Sequence, residues 1–104
     1  MKSLTQLLKE YVVRAISDDY WEFDWIVADV TGWAVERDIA VDRQRILKAL
    51  EDAISEGYTQ AYVLSGRPPY STPVDYSPAH LDDLWFYVTP KGKQLARQLQ
   101  EEWR

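Results

Sequence analysis

The hydrophobic period of this chain first changes beside Gly57. Before that point the apolar residues recur at three- and four-residue spacing, the mark of helices with one buried stripe. From Thr59 to Val88 short apolar stretches alternate instead, as strands do, before a last helical stripe. A chain of this pattern is α+β and mainly α. Its first stripe, Leu4, Leu7, Leu8, Tyr11, Val12 and Ala15, predicts a helix within residues 1–16, with Ser3 and Gln6 spaced as a capping box. Asp18 and Asp19 interrupt it. Phe23, Ile26, Val27, Val30, Trp33 and Ala34 predict a second helix over 22–36, with Asp19 and Glu22 spaced as another cap. The third, 42–56, has Asp42 as its cap, Val41 and Ile46 as a hydrophobic staple, and Ile46, Leu47, Leu50, Ala53 and Ile54 as its core stripe. Gly57 closes it, because glycine takes the left-handed conformation at low cost.

Two strands follow, over 60–64 and 84–88. In the second, Leu84, Phe86 and Val88 point one way and Trp85 and Tyr87 the other. Between them, 65–83 holds Pro68, Pro69, Pro73 and Pro78, four of the five prolines, and is expected to be one long loop. Loops of that length tend to be functional or mobile. Thr89-Pro90 is a cap followed by proline at the first helical position, and Leu95, Ala96, Leu99 and Trp103 supply the inner face of a last helix over 90–103. No repeat and no second domain is visible, so 1–104 is expected to be a single domain.

Cysteine is absent, which removes disulfides and thiolate chemistry. No apolar run approaches the ~20 residues that span a membrane. The first ten residues are amphipathic with both charge signs, unlike a secretory signal, so a cytoplasmic address is expected. His80, the single histidine, sits with Asp82 and Asp83, a set too small to complete a metal shell. Neither a nucleophile elbow nor a glycine-rich phosphate loop occurs. The expectation is a non-catalytic protein with no metal and no cofactor. Five Trp, seven Tyr and two Phe place large rings in the core. Trp25, off the main stripe of the second helix, is expected to be covered by the first helix lying on that side.

The order helix, helix, helix, strand, loop, strand, helix resembles a winged helix-turn-helix domain with an extra N-terminal and a C-terminal helix. Residues 46–58, ILKALEDAISEGY, resemble the stretch of such regulators where the recognition helix runs into a glycine and the first wing strand. Residues 85–93, WFYVTPKGK, are similar to the second wing strand and the threonine-and-glycine start of the next helix in MarR-like and PadR-like regulators. The resemblance covers roughly 21–99 and rests on packing and capping motifs. It implies that the third helix could read DNA, and on that helix Arg43, Gln44, Arg45 and Lys48 lie opposite the core stripe. It also implies dimerisation through the first and last helices.

Charge argues the other way. Residues 1–40 carry four basic and eight acidic side chains, 41–57 three and four, 58–83 one and three, and only 84–104 is basic, with four and two. A surface that neutralises phosphates needs clustered Arg and Lys. The stretch 65–83 offers Arg67 alone against Asp75, Asp82 and Asp83. Its Tyr70 and Tyr76, set among stiff prolines, suit packing on a protein partner or on the domain itself. A protein-interaction or regulatory module, with Arg67, Tyr70 and Tyr76 as candidate contacts, is therefore favoured over a DNA-binding regulator using Arg43, Gln44, Arg45 and Lys48.

Overall fold

A computed structural model describes residues 2–102; the expected inner-face residue Trp103 lies outside the described residues. Within them the chain forms four helices, α1 (Leu4–Ala15), α2 (Phe23–Glu36), α3 (Arg43–Ser55) and α4 (Pro90–Glu102). The strands are β1 (Trp21–Glu22), β2 (Thr59–Leu64), β3 (Ser71–Val74) and β4 (Trp85–Val88), and a 3-10 segment spans Pro78–Asp83. The fold is α+β and mainly α.

Most helix ends follow from local chemistry. Ser3 Oγ accepts from the Gln6 amide at 3.1 Å, and Asp42 Oδ1 accepts from the Arg45 amide at 2.8 Å. Gly57 takes φ +82°, and the Tyr58 amide then reaches back to the Ala53 carbonyl while that of Gly57 bonds Ile54. The cap expected from Asp19 and Glu22 does not form. Asp19 spends its carboxylate on the adjacent Tyr20 amide at 2.7 Å, and Glu22 precedes α2 with no side-chain cap bond. Trp21 and Glu22 are held as a strand instead, paired with Phe86 and Trp85.

The long loop is overturned as well. Residues 71–74 pair with β2 from Ala61↔Val74 to Leu64↔Ser71, while β4 takes the other edge of β2 from Thr59↔Val88 to Tyr62↔Trp85. The expected two-stranded appendage is thus an antiparallel sheet ordered β1-β4-β2-β3. Pro73 survives within it because β3 is an edge strand, where a residue without an N–H can face outward. The following turn is tied down by Tyr76, whose hydroxyl donates to Glu51 of α3 at 2.7 Å while its ring packs on Phe86.

One face of the sheet meets the helices. Thr59, Ala61, Phe86 and Val88 are buried there with Phe23, Ile26 and Val30 of α2 and Ile46, Leu50 and Ala53 of α3. Helix α1 is nearly enclosed: Leu8, Val12, Val13 and Ile16 are buried, and it packs chiefly against α3 and α4. Tyr11 additionally stacks on Trp33 of α2 at 4.5 Å. Two of its ions are buried as well, Lys9 bonded to both carboxylate oxygens of Glu56 and Glu10 paired to Lys2 at 2.8 Å. This placement corrects the expectation for Trp25. Helix α1 leans chiefly toward α3 and α4, and Trp25 stays 54% exposed.

The start of α4 is clamped to the end of α3. Thr89 donates its amide to the Tyr58 carbonyl and its hydroxyl to the Gly57 carbonyl, and accepts from the Gly92 amide. Lys91 bonds the Glu56 carbonyl at 2.7 Å and lies over the Tyr58 ring. Gly92 passes so close to the Tyr58 carbonyl that no Cβ fits between them. The Thr-Pro-Lys-Gly run therefore acts as a joint between helix and sheet.

Candidate functional site

Arg43, Gln44, Arg45 and Lys48 all stand exposed on the leading half of α3, as their spacing predicts. Their charge, however, is largely committed. Arg43 Nη1 donates to Asp24 Oδ1 at 2.9 Å, its Nη2 lies 3.9 Å from Asp82, and its guanidinium covers the Phe23 ring at 4.7 Å. Lys48 faces Asp52 one turn on at 3.4 Å. Arg45 leans on the Ala40 carbonyl at 3.4 Å. An incoming phosphate would compete with carboxylates already in place at Arg43 and Lys48, and the attraction those two cations offer is reduced accordingly.

Among the loop candidates, Arg67 and Tyr70 sit at the tip between β2 and β3, which is closed by the Ser65 amide donating to the Tyr70 carbonyl. Tyr70 is 65% exposed. Tyr76 is separated from them: it is turned inward onto Phe86 and Glu51, and burial followed by the Glu51 carboxylate holds its phenol proton well above the ordinary tyrosine range. It serves the domain's own packing.

Two aromatic surfaces go beyond the sequence candidates. The first is a ridge in which Trp25 stands edge-on to Trp21 at 6.5 Å and to Trp85 at 5.8 Å. The second is on the sheet face turned away from the helices, where Gln60, Tyr62, Trp85 and Tyr87 project. Tyr20 meets Tyr62 edge-on at 5.1 Å and Tyr87 at 5.0 Å with a 33° tilt, and its hydroxyl bonds Ser71 Oγ at 3.1 Å. Burial, then the neighbouring phenols, raises the Tyr62 pKa.

Beside these rings α4 presents Lys93, 5.2 Å above the Tyr87 ring, and Arg97, and a cleft of about 440 Å³ opens between helix and sheet. A second cleft of about 430 Å³ shares Lys93 and Arg97 and adds Arg14 of α1. No carboxylate lines either. The signals for this surface were present, in the outward alternation of Trp85 and Tyr87 and in the basic segment 84–104, but Tyr20 and Tyr62 join it only through pairing.

Among the described residues no three His, Asp or Glu side chains converge as metal ligands, and no helix is long and apolar enough to cross a membrane. No family model, no curated protein and no solved structure matches the chain.

Proposed function

We propose that the chain is a non-catalytic interaction module of the winged-helix type that binds another protein. Several features support the architecture: the short β1 lies between α1 and α2 and pairs beside β4, and the β2–β3 hairpin follows α3 directly, as a wing follows a recognition helix. In this reading β3 is an added strand on the wing. A single observation carries the choice of partner: two of the three cations best placed to read a duplex are engaged by carboxylates, Arg43 with Asp24 and Lys48 with Asp52. The ridge of Trp25, Trp21 and Trp85 supports it further, since exposed tryptophan dominates many protein interfaces.

The alternative, a DNA-binding regulator, is favoured by one observation: Arg43, Gln44, Arg45 and Lys48 are exposed together at the leading turns of α3. Titration with mixed-sequence duplex DNA at two salt concentrations decides between them. Phosphate contacts produce an affinity that falls steeply with salt. The interaction-module reading expects no saturable duplex binding at low salt, and a steep, saturable isotherm would reverse it.

A further inference from the structure

We propose that the outward face of the sheet, where it meets α4, is the docking groove for an extended, proline-bearing acidic segment of a partner protein. The inference rests on the interaction-module reading and names the chemistry of its partner. Tyr20, Tyr62 and Tyr87 form the floor of the 440 Å³ cleft, Pro73 of the edge strand one wall, and Lys93 and Arg97 the other.

Charge complementarity selects the acidic character. The chain carries a net charge of −5, yet both clefts on either side of Lys93 and Arg97 lack a carboxylate in their lining. Arg97 makes no ion pair among the described residues, in contrast to Arg43 and Lys48 on α3. Lys93 and Arg97, on successive turns of α4, face a shared cleft that no carboxylate lines, so an acidic ligand displaces no ion pair there.

Ring geometry selects the extended, proline-bearing character. Tyr20 stands edge-on to Tyr62, with an interplanar angle of 88°, and only 33° from Tyr87. Rings set against one another leave slots between their edges, and a polyproline II segment fills such slots at little entropic cost because its backbone is already extended. Nucleobases, by contrast, require open ring faces on which to stack. Tyr87 has Tyr20 packed against it and Lys93 over its ring, so it offers no such platform.

The test is selection of a phage-displayed library of random 12-residue peptides on the full chain, followed by fluorescence anisotropy of the enriched peptides. Enrichment of Asp or Glu together with Pro is expected. Arg97→Glu should weaken those peptides about tenfold, and Lys93→Glu similarly, while Arg37→Glu, the same charge change at a residue that lines neither cleft, leaves them unchanged. Each variant is checked by circular dichroism; Lys93 and Arg97 are exposed, so the fold is retained. Enriched peptides that lack acidic residues, or that bind Arg97→Glu and the parent equally, overturn the site. So does an oligothymidylate that binds the same cleft more tightly than any peptide. Failure of the peptides with duplex DNA still unbound removes the groove but leaves the interaction-module reading. Steep salt-dependent duplex binding removes that reading whatever the peptides do.

Discussion

Arg43 at the start of α3 and Asp24 at the start of α2 meet at 2.9 Å, so an exposed cation of α3 is held by the neighbouring helix. Both side chains are well exposed, and the pair contributes little to stability. Its consequence is electrostatic. Replacing Asp24→Asn and Asp52→Asn together should leave the melting temperature nearly unchanged while releasing Arg43 and Lys48. Duplex affinity at low salt should then rise, with a steeper salt slope, measured by anisotropy. An unchanged isotherm would show that these carboxylates do not limit duplex binding.

Two glycines in helices should respond in opposite directions. Gly92 lies against the Tyr58 carbonyl and the Val88 side chain, so Gly92→Ala must push α4 away from the sheet and is expected to cost about 2 kcal/mol, within the range for overpacking. Gly32, midway along α2, has open space where its Cβ would lie. Gly32→Ala should stabilise by about 0.5–1 kcal/mol through helix propensity alone. Urea unfolding of the two variants checks both signs.

Alkaline pH should destabilise the fold in a definite window. Tyr11, half-buried against Trp33 and bonded to Asp29 at 2.8 Å, has its pKa pushed up to about 12 by desolvation, then by that hydrogen bond and the Asp29 charge. Tyr76 shifts in the same direction. A raised folded-state pKa means the native protein keeps protons that the unfolded chain releases. Stability is therefore full below about pH 10 and declines as pH rises toward 12. Urea midpoints measured at pH 9 and 11 should fall, and Tyr11→Phe should flatten the decline. A parent midpoint that stays level would refute the assignment.

Trp25 and Phe86 test where the aromatic core ends. Phe86 is fully buried at the centre of the sheet, and Phe86→Ala is expected to cost about 3–5 kcal/mol. Trp25 is 54% exposed, and Trp25→Ala should cost under about 1.5 kcal/mol, the order of its edge-on contacts with Trp21 and Trp85. A loss for Trp25→Ala as large as that for Phe86→Ala would place it in the core after all. The same substitution should abolish any partner contact made through the ridge.

The helices, the caps at Ser3 and Asp42 and the switch to strands were legible because each depends on residues within about five positions: Ser3 with Gln6, Asp42 with Arg45, Gly57 with Ile54. So were the exposure of Arg43, Gln44, Arg45 and Lys48 and the opposite faces of Phe86 and Tyr87, which follow from helical and strand periods. What stayed hidden depends on partners far along the chain. Residues 71–74 look like loop until β2 offers an edge, and Trp25 looks coverable until α1 leans toward α3 and α4. Arg43 reads as an open cation until Asp24, 19 positions away, closes on it, and Tyr20 joins Tyr62 and Tyr87 only when the sheet brings them together. Local periodicity specifies which face of an element is apolar; only tertiary packing decides which elements cover that face and which charges meet, because burial and pairing are properties of two surfaces and a single segment carries one of them.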